Sequence, residues 1–155
     1  MASADAKVKE LGIVLSEPPK PAGTYVPYVI TGNLLFVSGN GPRRPDGTFA
    51  RGKVGSAVSV EEAREHARLV GMVILGIVRT ALGSLDRVER VVKLLGMVNA
   101  VPEFTDQPKV IDGCADLFVE VFGPEKGRGA RSAVGMGSLP NQITVEIEAI
   151  FEIAG

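Results

Sequence analysis

Residues 144–153 read Thr-Val-Glu-Ile-Glu-Ala-Ile-Phe-Glu-Ile. Val145, Ile147, Ala149, Phe151 and Ile153 alternate with Thr144, Glu146, Glu148, Ile150 and Glu152. A period of two is the signature of a strand with one apolar face. It sets Glu146 and Glu148 side by side on the other face. Upstream, Val88 to Val98 reads as a long buried strand, with charges only at Glu89, Arg90 and Lys93. It is apolar on both sides, so the sheet it belongs to must be covered on both faces.

Helical periodicity supplies one cover. Ser59 with Glu62 forms a capping box, and apolar residues follow at 63, 67, 70, 74, 77, 78 and 81, with Gly83 as the stop. Leu69, Val73 and Leu75 make this helix apolar on further sides, so it should be covered on more than one side. Asp106 is the expected cap of a second helix carrying Val110, Cys114, Leu117, Phe118 and Val121, and 123–129 reads as a charged, Gly-rich loop.

Ahead of these lie a short helix at 4–11 and an extended Pro-rich loop at 16–23. A strand follows at Tyr25–Ile30, an edge strand because of Pro27, then a Thr31-Gly-Asn turn and a strand at Leu34–Ser38. The backbone bends at Gly39–Pro42, and 43–51 holds a Pro-Asp-Gly turn. The order after the N-terminus is strand, strand, helix, strand, helix, strand, strand. It predicts an α+β fold with a mixed sheet and two helices on one face. Little of a chain this short is left for the other face, so self-association is expected.

The chain's 155 residues suit one domain, 1–155, with 1–20 as an N-terminal extension. Hydrophobic residues at 45% and charged residues at 23% describe a globular protein. A net charge of −1 supplies no field for nucleic acid. One cysteine and one histidine exclude a disulfide scaffold and multi-ligand Cys or His metal sites. No segment is long and apolar enough to span a membrane, and the first residues lack a signal peptide's apolar core; a cytoplasmic location is expected.

Few residues announce chemistry. Gly39-Asn-Gly41 and Gly135-Met-Gly137 lack the context of phosphate loops, and Ser38 lies outside a Gly-x-Ser-x-Gly elbow. His66 reads as a surface or packing residue with no evident base or ligand partner, and Cys114 as a small core residue. Arg131 ends a Gly-rich loop and opens a strand. It is either a surface charge or a fixed fork for an anion. Glu146 and Glu148 are either a solvated strand face or working carboxylates.

Gly129-Ala-Arg-Ser-Ala-Val, Ser138-Leu-Pro and Val145-Glu-Ile-Glu-Ala-Ile together resemble the C-terminal signature of the Rid family. These are the reactive intermediate deaminases, also called the YjgF or L-PSP endoribonuclease family. Val37-Ser-Gly, Leu82-Gly-Ser-Leu-Asp-Arg-Val and Asp116-Leu-Phe-Val-Glu-Val-Phe-Gly agree in order, so the resemblance runs from about Tyr25 to Ile153. It implies a chorismate-mutase-like α+β fold, a homotrimer and active sites in clefts between subunits. It implies hydrolysis of enamine and imino acids, such as 2-aminoacrylate, to 2-keto acids and ammonia, with no metal or cofactor. Arg131 matches the arginine that pairs with the substrate carboxylate, and Glu146 the glutamate that activates water. Ser38, Gly39 and Tyr25 match positions that contact substrate or shape the pocket, and the Ala133 amide would be a further donor.

The chain departs from the family pattern at three places. Asn40-Gly41-Pro42 replaces the usual Gln after Ser-Gly, Ala133 stands where many members have cysteine, and Asp112 where the best-known deaminases have asparagine. A carboxylate at 112 would repel an acidic substrate or change the pocket. Two alternatives to the deaminase follow: a trimer that binds a small carboxylate without turnover, and a ribonuclease. The acidic balance weighs against the latter, and the cluster Arg43, Arg44, Arg51 and Lys53 reads as a solvated loop.

Overall fold

The structure, a computed structural model, describes residues 2–155. Its elements are α1 (Ala4–Glu10), β1 (Tyr28–Thr31), β2 (Leu34–Asn40), α2 (Val60–Leu82), β3 (Val88–Asn99), α3 (Gln107–Gly127), β4 (Ala130–Met136) and β5 (Val145–Ile153). The sheet order is β1-β2-β5-β3-β4, with β3 and β4 parallel and every other pair antiparallel. The strictly alternating segment 145–153 is the centre of the sheet. Its odd residues are buried, and Glu146 and Glu148 lie on the opposite face. The expected α+β architecture, a mixed sheet with two long helices on one face, is the architecture observed.

α2 begins on the Ser59–Glu62 capping box and ends at Gly83, whose φ of 83° suits only a residue without a side chain. Its second cover is the N-terminal segment. Val8 and Leu15 join the core, and a Cβ at Gly76 would lie 2.7 Å from the Ser16 carbonyl oxygen. α3 is seated by glycines and aromatics. A Cβ at Gly96 of β3 would come within 2.6 Å of Ile111. Phe118 and Phe122 stand edge-on to Phe151 at 5.7 and 6.3 Å. The helix is thereby laid directly over β3, with its next residue, Asp112, beside β4.

Several expectations at element ends need correction. The first strand starts at Tyr28, not Tyr25, because Pro27 has no N–H and offers only its carbonyl, which accepts from Ser38 N at 3.0 Å. β2 runs on to Asn40 through a bulge between Val37 and Asn40. The segment 123–129 is not all loop. Gly123 breaks the helix (φ 86°, ψ 164°), and the chain resumes helical turns at Pro124. A proline is tolerated there because a first helical residue has no intrahelical acceptor for its N–H. Asp106 sits at the N-cap without a side-chain capping bond and pairs with Lys109 at 3.5 Å instead.

The helix-free face is uncovered and carries an apolar row beside Glu146 and Glu148. Val29, Phe36 and Ile150 form a cross-strand row, and Val134 stands opposite Met97. Val29, Phe36 and Val134 are 51%, 38% and 38% exposed. Among the described residues, no helix is long and apolar enough to cross a membrane.

Candidate functional site

The residues singled out in the sequence fall into two groups, one at the β2 bulge and one between α3 and β4, with Glu146 and Arg131 on opposite faces of the sheet. The first gathers where β2 bulges. Ser38 Oγ donates to the Val26 carbonyl at 2.6 Å, tying the Pro-rich segment to the strand end. Asn40 Nδ2 donates to the Ser38 carbonyl at 2.7 Å, so the departure at position 40 pins the bulge. Tyr25, Ser38 and Gly39 line one small cavity of about 20 Å³ with three prolines of the N-terminal segment, Asn40 and Ile77 of α2. The Glu146 carboxylate lies flat on Gly39; any Cβ there would collide with it. A side chain at 39 would have to push the Glu146 carboxylate away from this position.

Glu146 is half-buried, and burial pushes its pKa above the ordinary glutamate value of 4.5, with the Glu148 charge raising it further. Desolvation comes first because a carboxylate loses more hydration than any neighbour here restores. Such a group holds a proton more tightly than a surface glutamate, a property suited to a general base.

The second group lies between α3 and β4. Arg131 opens β4 on the helix side, and its Nη1 pairs with Asp112 Oδ1. A cavity of about 370 Å³ runs along this pair, lined by Leu94, Asp112, Asp116, Arg128 and Arg131 among others. Asp116 and Arg128 were not singled out for chemistry in the sequence. The available signal was spacing: residues 112 and 116 are one helical turn apart and share a face. Ala133 is half-buried beside Gly96 on the same face as Arg131, on the edge strand, where alternate backbone amides point away from the sheet.

The two groups do not meet within one chain. Arg131 is level with Leu94 and Ala149, whereas Glu146 is level with Met97 and lies on the other face. Three residues along the strands and two strands across separate their Cα atoms by roughly 14 Å. A cavity of about 760 Å³ between α1 and the end of α3 contains none of these residues.

His66 packs with its Nδ1 3.0 Å from the Thr144 hydroxyl, and burial, then Arg44, lowers its pKa. Cys114 is fully buried, and burial pushes its thiol far up. Half-buried Lys53 is engaged within the fold: its Nζ donates to buried Asn99 Oδ1 at 2.7 Å and to the Gly137 carbonyl. Among the described residues, no three His, Cys, Asp or Glu side chains come together to hold a metal.

This architecture has relatives. The family model described as "YjgF/chorismate mutase-like, putative endoribonuclease" matches residues 5–147. Protein TCP17 of Trypanosoma cruzi is 43% identical over 148 residues, covering 96% of this chain and 92% of the relative. The crystal structure of Atu1372 from Agrobacterium tumefaciens, a protein of unknown function, is 46% identical. It superposes with a TM-score of 0.87 over 97% of this chain and 94% of that one. RidA from an Antarctic Psychrobacter is 27% identical with a TM-score of 0.61, over 88% of this chain and 94% of that one. With the match running through both groups of residues, from Tyr25 to Glu146, the chain belongs to the YjgF/chorismate mutase-like family.

Proposed function

We propose that this protein hydrolyses reactive imino acids and enamines to 2-keto acids and ammonia, in clefts completed by a second copy of the chain. The observation that carries this reading is Glu146: a carboxylate half-buried on Gly39 beside Ser38, with its pKa raised by burial. A base of this kind takes a proton from water as the water oxygen adds to the C=N carbon. The C=N π pair goes to nitrogen, which takes up a proton. A proton then passes from the carbinolamine hydroxyl to its amino nitrogen, the C–N bond breaks with its pair going to nitrogen, ammonia leaves, and an oxygen lone pair closes the carbonyl. An enamine enters the same sequence after a proton moves to carbon.

Arg131 supplies what Glu146 lacks, a fixed cation for the carboxylate of the imino acid. One Nη1 bond to Asp112 leaves the Nη2 and Nε donors without a hydrogen-bonded partner among the described residues. A guanidinium can hold two carboxylates, one on each edge. Since Arg131 and Glu146 face opposite ways, a substrate touching both must lie between two copies. The bare row of Val29, Phe36 and Ile150 is the surface that a trimer would bury. A net charge of −1 and the engagement of Lys53 favour a small acid over RNA as the ligand.

An amino-acid oxidase that generates imines in situ provides the test, with keto-acid or semicarbazone formation followed with and without this protein. Acceleration that disappears in Arg131→Ala, with the assembly intact by sedimentation, is expected. No acceleration across small, acidic, basic and aromatic imines would leave a carboxylate-binding trimer as the reading.

A further inference from the structure

The ligand-facing arginine carries a carboxylate of its own chain. Asp112 holds one edge of the Arg131 guanidinium, and its side chain is 40% exposed toward the cavity that both residues line. Asp116, on the same helix face, is taken up by Arg64, while Arg128 makes no ion pair or hydrogen bond among the described residues. Asp112 is thus the carboxylate that shares Arg131 with whatever binds there.

We propose that Asp112 determines specificity by charge: it selects acids that carry a positive nitrogen next to the carboxylate over plain anionic acids of the same skeleton. This rests on the reading of Arg131 as the carboxylate-holding residue. A plain acid on the open edge of Arg131 meets a guanidinium already neutralised, with a second carboxylate a few ångströms away. In a 2-amino or 2-imino acid the nitrogen is two bonds from the carboxylate carbon. Held on Arg131, it falls within reach of Asp112, so the zwitterion gains an attraction where the anion suffers repulsion. Arg128 draws both ligands by their common carboxylate, so its contribution cancels in the ratio. For an imino acid two consequences follow. The protonated iminium, the more electrophilic form, is the form held. The keto acid, which has lost the nitrogen, is repelled once formed.

Titration calorimetry of the full chain at neutral pH with 2-aminobutyrate and 2-oxobutyrate tests this without requiring turnover. The wild type should prefer the amino acid. Asp112→Asn should shift the ratio of the two affinities about tenfold toward the oxo acid, the size of one partly screened charge pair. Asp116→Asn, whose carboxylate is spent on Arg64, should shift it less. An unchanged ratio in Asp112→Asn overturns the proposal. So does an equal loss of both ligands, which would make Asp112 a mere support for Arg131, or binding that survives Arg131→Ala. Imine hydrolysis measured on the same proteins separates the two readings. A ratio that moves in a protein without turnover defeats the hydrolase and keeps Asp112's role. Turnover with an unmoved ratio does the reverse.

Discussion

The Glu146 carboxyl binds its proton more tightly in the folded chain than in the unfolded one, through burial first and Glu148 second. Two consequences can be measured. The base form is fully present only above the raised pKa, so the acid limb of kcat/KM for imine hydrolysis should lie above pH 4.5, the ordinary glutamate value. Glu148→Gln removes one cause and should move that limb toward lower pH; a limb that stays in place would show that Glu146 is not the titrating base. The second consequence concerns stability. A folded pKa above the unfolded one means that the folded state holds more protons between the two values. Stability from this group therefore falls as pH rises through that window, and urea melts of Glu146→Gln should show a flatter decline there. The same variant should lower kcat by about 100-fold or more with little change in substrate binding, since glutamine cannot accept the proton.

At the scale of elements, the site depends on α3 lying close to both α2 and β3. A Cβ at Gly113 would collide with the Arg64 carbonyl of α2, and one at Gly96 with Ile111. Helix propensity alone favours alanine over glycine by about 1 kcal/mol. Gly113→Ala should nevertheless destabilise the fold by about 1–3 kcal/mol, because overpacking outweighs propensity at a backbone contact. A lower urea midpoint with an unchanged slope is the expected result; a gain in stability would mean that the two helices are not in contact as described. Most elements were legible in the sequence. The capping box at Ser59, the alternation at 145–153 and the apolar run at 88–98 are each dictated by neighbours a few residues away. The errors came where a local rule competes with a distant partner. Pro27 shortened β1, and Gly123 marked a break that Pro124 then converted into a fresh helical turn. Asp106 found Lys109 in place of the backbone.

The whole molecule leaves one sheet face without a cover. Phe36 stands in the middle of the exposed row, opposite Val29 and Ile150. A charge there would have to be buried on association, so Phe36→Glu should yield a folded monomer by sedimentation and, if the cleft needs two copies, no imine hydrolysis. An assembly unaffected by this change would place the interface elsewhere. The candidate site was legible as a set of residue types, because Arg131, Glu146, Ser38 and Gly39 sit in local patterns that resemble those of known relatives. Their partition was not legible. No spacing between positions 131 and 146 says that one side chain faces α3 and the other the bare face. That follows from β5 lying at the centre of the sheet, with β3 between it and β4. Nor did the sequence reveal that Asp112 would take Arg131, or that Lys53 would reach buried Asn99, since both pairings join segments far apart in the chain. By itself the sequence determined the strands, the helices and the fold class, because periodicity and caps act over one or two turns of chain. Only the tertiary structure decided which charges meet, because ion pairs and close approaches form across the packing of α3 on β3 and β4, and no local rule encodes it.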